Sequence, residues 1–372
     1  MHEKELRLAV VLTGGVSLAV FMHGVSRELL KLVRASRVYH GLKDRDPGRP
    51  PSYAAANDDP ARETDTESVY FQLLHAISET TQLRVVIDVI AGASAGGVNG
   101  VMLARALAHD LPLDAHRAMW LEHADAIDLM DEQTSARAWS KIYLQPIISA
   151  LFHTRLATLA PDQETRDKLR RFLRSRWFKP PFSGKRFAGW MLDACEAMVH
   201  GRDENGSLMP DGHPLDLFVS ITDFHGHNRV VQLYDPPQIV EPEHRHALHF
   251  HYERSQQGVV VSDFDSDMIP ALVFAARATS SFPGAFPPAT IAEMDEVLSE
   301  RGTTWRRRGE FLRTKFRALL RGGRDPEDTV FIDGSTVNNK PFASAIAALT
   351  GRQAHREVVR RLVYVDPDPD PD

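Results

Sequence analysis

The chain has 372 residues, 43% of them hydrophobic, and a net charge of -6 from 44 Lys plus Arg against 50 Asp plus Glu. That length buries a substantial core in one large α/β domain or two smaller ones, and the lack of a basic surplus argues against nucleic acid while leaving a neutral or lipid substrate open. Cys195 is the single cysteine, so an intramolecular disulfide is excluded and a reducing compartment such as the cytosol fits.

Leu6 to Leu12 is a nearly continuous apolar run that predicts a buried strand. Thr13-Gly14-Gly15 makes a turn, and Leu18 to Val33 then carries helical periodicity through Phe21, Met22, Val25, Leu29 and Leu30. Lys4 and Arg7 ahead of the apolar run Leu8 to Val25 superficially suggest a signal peptide. Gly14-Gly15 breaks that run, Ser17 and His23 interrupt its far half, and Ser26-Arg27-Glu28 offers no small-x-small cleavage site. No other run approaches the roughly 20 apolar residues of a membrane span.

Residues 40–67 hold Pro47, Pro50, Pro51 and Pro60 among charges and predict a surface loop insertion. A helix follows at Val69 to Ile77, and Arg84 to Ile90 is the second buried strand. A tight small-residue turn leads into a helix from Val98 to His109. Residues 111–203 read as a mostly helical insertion or cap, with turns at Pro161, Pro180-Pro181 and Gly184. Leu215 to Thr222 and Arg229 to Leu233 predict two more strands, and Met268 to Arg277 a helix. Trp305 to Arg324 is basic, with Phe311, Leu312, Phe316, Leu319 and Leu320 at helical spacing. A solvated surface helix is expected there, with anionic lipid as the alternative contact. Thr329 to Ile332 and Arg361 to Val365 are the last strands, and the tail 366–372 alternates Asp and Pro, which suits neither helix nor central strand. Strands alternating with helices predict an α/β architecture with a largely parallel sheet.

Gly92-Ala93-Ser94-Ala95-Gly96 has the form G-x-S-x-G between a strand and a helix. Such an elbow forces its central residue into a strained conformation that lifts the side chain above the sheet, and small neighbours are required because strand and helix approach closely. The competing reading is a serine that merely caps the helix. The Gly14-Gly15 turn can converge backbone N–H groups on an anion. It lacks the G-x-G-x-x-G spacing of a nucleotide site. Asp333-Gly334 ends an apolar strand where sites form in open α/β sheets, and an ordinary Asp-Gly turn is its plain alternative. His244, His246, His249 and His251 fall in two pairs, each with both histidines on one strand face. No carboxylate or cysteine motif completes a zinc site, so a solvated strand face is expected.

In this order, the Gly turn, the G-x-S-x-G elbow and the D-G turn resemble the patatin-like phospholipases. The segment Ala276 to Pro288, Thr222-Asp223, and Asp333-Gly334-Ser335 with Asn339 and Pro341 are also similar to family segments. The resemblance implies a three-layer α/β/α fold with a mainly parallel central sheet and a helical insertion, in one catalytic domain over 1–372. It implies Ser94 as nucleophile, Asp333 as base, and an oxyanion hole at Gly14, Gly15 and Val16. Gly92, Ala93, Ala95 and Gly96 would form the elbow and Gly334 the acid turn. The implied substrate is a phospholipid or other acyl-ester lipid met at a membrane surface, with no cofactor, metal or nucleic acid. One departure stands out. The family's G-G-G-x-[RK]-G is here Gly14-Gly15-Val16-Ser17-Leu18-Ala19, without the basic residue. Arg277 is a candidate replacement for that charge, with surface solvation or a carboxylate partner as its competing roles. A fold-retaining lipid-binding module with little activity is the alternative function. A Ser-Asp-His triad would need His355, the single histidine after Asp333, in a polar stretch that reads as helix.

Overall fold

The computed structural model describes residues 2–15, 19–42, 53, 65–123, 129, 180–199, 206–354 and 356–366. Most of the 40–67 insertion, the centre of 111–203 and the tail 367–372 lie outside the described residues. Seven strands form one sheet: β1 (His2–Leu12), β2 (Thr81–Ala93), β3 (Leu215–Gln232), β4 (Gln238–Arg254), β5 (Val260–Ser262), β6 (Phe331–Asp333) and β7 (Glu357–Val365). Their order is β5-β4-β3-β2-β1-β7, with β6 paired to β3. The central run β3-β2-β1-β7 is parallel, whereas β4, β5 and β6 pair antiparallel.

The described helices are α1 (Ala19–Gly41), α2 (Thr66–Ile77), α3 (Ala95–His109), α4 (Asp114–His123), α5 (Gly184–Ala197), α6 (Ile269–Thr279), α7 (Ile291–Glu300), α8 (Arg308–Lys315), α9 (Arg317–Arg321), α10 (Ser335–Asn338) and α11 (Phe342–Ala348). Alternation along β1 divides them between two faces. Leu8, Val10 and Leu12 join the main core with residues of α1, α2, α3 and α6. Ala9 and Val11 face the other way, with Val89, Ala91 and Ala345 of α11. The result is the three-layer α/β/α arrangement with one thick and one thin cover. Every residue of α3 is buried, so this helix, beneath α1 and against α6, sits at the centre of the core. The β1–β2 register shifts between Leu8 and Ala9, which skips Asp88 and lets it reach Arg360 at 2.5 Å.

Three expectations change. The two strands expected at Leu215 to Thr222 and Arg229 to Leu233 are one strand, β3, with an irregularity between Thr222 and His227. β4 was foreseen only as a strand face carrying the histidines; its full extent was missed because Glu241, Pro242, Glu243 and four histidines disguise its alternation. Its Pro242 is tolerated because this part of the β3–β4 ribbon extends into solvent. The basic segment 305–324 is broken at Phe316 into α8 and α9, and Phe311, Phe316 and Leu319 are fully buried. Most of its apolar face therefore belongs to the core, while Leu320 is exposed. Arg307 and Arg308 bond to Glu310 and Asp295. Among the described residues no helix is long and apolar enough to cross a membrane.

Candidate active site

β2 ends at Ala93 and α3 begins at Ala95, leaving Ser94 alone at the elbow. Its φ of 52° and ψ of -128° lie where non-glycine residues pay roughly 1–3 kcal/mol of strain. The tight approach is visible at Gly96, where a Cβ would lie 2.3 Å from the Leu12 carbonyl oxygen. Ser94 occupies the N-cap position of α3 but makes no side-chain capping bond. The capping role that competed for this serine is thus unfilled, and the buried hydroxyl lies within the influence of Asp333.

The strain is held by partners from elsewhere. Ser94 N donates to Thr279 Oγ1 at 2.8 Å, and that hydroxyl donates to the Ser220 carbonyl at 2.6 Å. Thr279 therefore ties the end of α6 to the elbow and to β3. Its role was not foreseen, although it lies in the small-residue segment; only the tertiary contact separates it from its neighbours.

Asp333 closes β6 opposite Ile221 of β3. Its amide donates to the Ser281 carbonyl at 3.0 Å, and Thr222 Oγ1 donates to its carbonyl at 2.9 Å. The side chain is fully buried, and Oδ1 accepts the Ser335 amide at 2.7 Å. Oδ2 has no hydrogen-bond partner. Gly334 is required here, since a Cβ would meet the Ser220 carbonyl oxygen at 1.9 Å. Burial pushes the Asp333 pKa up; the Ser335 amide and the Ser94 and Ser335 hydroxyls pull against it without reversing the shift. The Ser94 hydroxyl is thus near enough to be felt by the carboxyl, yet short of full bonding geometry with Oδ2. Looseness of that kind is common in sites without substrate.

The Gly turn arrives at the same sheet end. A Cβ on Gly14 would lie 2.6 Å from Ser94 Cβ. Gly14 N donates to Asn339 Oδ1 at 2.8 Å, a contact across 325 residues. Gly15 is half-buried beside it, and Val16 lies outside the described residues. Gly92, Ala93, Ala95 and Gly96 are all buried around the elbow. Arg277 does not reach this cleft. Its guanidinium is buried, bonded to Glu293 at 2.8 Å, Ser281 at 2.5 Å and the Pro287 carbonyl at 2.8 Å. The carboxylate partner expected as its competing role is Glu293. Thr222 and Asp223 are buried; Asp223 Oδ1 accepts the amides of His225 and Gly226. His355 lies outside the described residues, but β7 begins at Glu357 and residues 352–354 are not helical, which corrects the helix expected there.

A layered α/β fold with a serine at a strand–helix elbow and a buried carboxylate at the same sheet end defines the class. The family model for patatin-like phospholipases matches residues 68–346, more than half of the chain, and the chain belongs to that family. Membership places it, at family level, among hydrolases of lipid esters. The matched stretch contains Ser94 and Asp333 but begins after the Gly14-Gly15 turn. A Mycobacterium tuberculosis protein named as an uncharacterized membrane protein is 25% identical over 375 residues, which cover 99% of this chain. The chain spans only 28% of that relative's length. No solved structure matches the chain.

Proposed function

We propose that the protein is a serine lipid acyl hydrolase of the phospholipase A or lysophospholipase type, working through a Ser94–Asp333 dyad. The carrying observation is the buried Asp333 carboxyl beside Ser94, its pKa raised and its Oδ2 free to take a proton. Asp333 accepts the Ser94 proton as Oγ attacks the acyl carbonyl carbon. The alcohol leaves with that proton, giving an acyl-enzyme. Water then attacks, passes a proton through Asp333 to Ser94, and releases the fatty acid. Backbone N–H groups of Gly14, Gly15 and Val16, together with the amino terminus of α3, hold the oxyanion. For Gly14 to serve, the oxyanion takes the place of Asn339 Oδ1.

Hydrolysis of a medium-chain p-nitrophenyl ester by the purified chain tests this reading. Ser94→Ala and Asp333→Asn should each lower turnover roughly 10³-fold or more, as removal of members of such units does elsewhere. Unchanged rates in both variants would remove the dyad. His355→Ala should leave the rate intact; a comparable loss there would restore the triad.

The engaged Gly14 amide, with Leu18 where the family carries a basic residue, favours a second reading, a lipid-binding module of low turnover. Vesicle binding without ester cleavage by the wild-type chain would decide for it.

A further inference from the structure

On the thinly covered face of the sheet, away from the ester site, two strands bring three metal-type ligands together. Asp216 of β3 lies directly across from His251 of β4, and Phe218 across from His249. Side chains two residues apart share a strand face, so both imidazoles stand over the one carboxylate. His249 Nε2 is 2.7 Å and His251 Nδ1 2.8 Å from the same oxygen, Asp216 Oδ1. The three ligand atoms all lie within 4.8 Å of one another. We propose that Asp216, His249 and His251 bind a divalent transition-metal ion of the zinc class.

The surroundings support that assignment. Tetrahedral zinc with bonds of about 2.0–2.1 Å holds its ligand atoms about 3.3 Å apart, so modest outward shifts admit the ion. The second Asp216 oxygen is taken by Arg352, whose guanidinium also donates to the Pro214 carbonyl at 2.9 Å and the Ala348 carbonyl at 2.8 Å. The carboxylate is thereby oriented with Oδ1 toward the imidazoles. The His249 ring stacks on Phe218, with centroids 4.6 Å apart and planes at 7°. His251 turns its other nitrogen toward Glu253 Oε2 at 3.7 Å. A carboxylate behind a ligating histidine is the usual outer support of metal sites.

Two imidazole nitrogens and one carboxylate oxygen suit zinc, nickel or copper rather than magnesium or calcium. The His249 side chain is 48% exposed, so ions enter from solvent and water completes the coordination. Asp216 precedes Ser220 by four residues, about 13 Å along an extended strand. The ion accordingly acts on the β3–β4 pairing and not on the reacting ester.

The test uses the whole chain, freed of metal by chelation. Calorimetric titration with zinc should show one equivalent bound, and cobalt should develop the visible absorption of a low-symmetry site. His249→Ala and His251→Ala should each weaken binding at least about 10-fold, and Glu253→Gln less, following the scale of ligand and outer-support losses. Excess zinc should raise the melting temperature of the wild type but not of the double variant His249→Ala/His251→Ala. The chain has 17 histidines, so the double variant is the control for scattered binding. No stoichiometric uptake, or equal uptake by wild type and double variant, overturns the proposal and leaves a proton-bridged ion-pair network.

Discussion

At the amino ends of β1 and β3, buried Glu5 pairs with Arg7 and half-buried Asp216 with Arg352, while at the carboxyl end Asp333 is buried with no such partner among the described residues. Arg7 bonds to Glu5 at 2.8 and 3.0 Å, and His213 Nε2 lies 3.3 Å from the same oxygen. Burial alone would raise the Glu5 pKa, but His213 and Arg7 hold it down at about 2. Asp333 meets only an amide and hydroxyls; among the described residues no Lys or Arg pairs with it, and burial keeps its pKa up. Desolvation is common to both ends, so the partner determines the outcome. A charge-paired end stabilises the sheet, and an unpaired one leaves the raised-pKa carboxyl that the proposed dyad would use as its base.

The largest stability effect should come from breaking the paired end. Glu5→Gln strands Arg7 in the interior and should cost roughly 3–5 kcal/mol in urea unfolding, the range for breaking buried pairs. Because the Glu5 pKa is depressed in the fold, its contribution is present above the ordinary carboxyl range and is lost as pH falls toward about 2. Wild type and variant should therefore converge in acid; a gap that stays constant down to that pH would deny the charge pairing its role.

Thr279→Val comes next. It leaves the Ser94 amide and the Ser220 carbonyl without their shared hydroxyl, at roughly 1–3 kcal/mol for a buried unsatisfied group. Thr279→Ser should retain most of that stability, and equal losses in the two variants would point to packing instead.

The smallest stability effect should be a gain. Asp333→Asn removes a carboxyl whose ionisation the fold opposes, so its melting temperature should exceed wild type at neutral pH. Since the folded pKa is raised, wild type loses stability as pH climbs from the ordinary carboxyl range through that raised value. The advantage of the variant should open over that interval, the same interval in which the proposed ester hydrolysis should turn on in the wild type. A variant that is less stable at every pH would mean Asp333 is structural, not poised.

Much of the site was legible because its chemistry is local. The run Gly92 to Gly97 can only be a tight strand–helix turn, and an apolar strand ending in Asp333-Gly334 announces a carboxylate at a sheet end. Periodicity also fixed the β1–α1 and β2–α3 units, whose buried residues are contiguous. The full extent of β4 was hidden because histidines and glutamates there satisfy cross-strand partners that the local sequence does not name. His246, expected in a solvated face, is buried and stacks on Phe316. The carboxylate of the proposed metal site was missed because Asp216 stands 33 residues before His249.

By itself, then, the sequence determined the elements and the elbow, through small-residue demand and apolar period. Tertiary structure alone decided which backbone donors and acids meet. Asn339 reaches Gly14, Thr279 reaches Ser94, and Asp333 is denied a cation while Glu5 is given Arg7. Those outcomes depend on strand order and register, which are set by the packing of the whole sheet and leave no local mark in the chain.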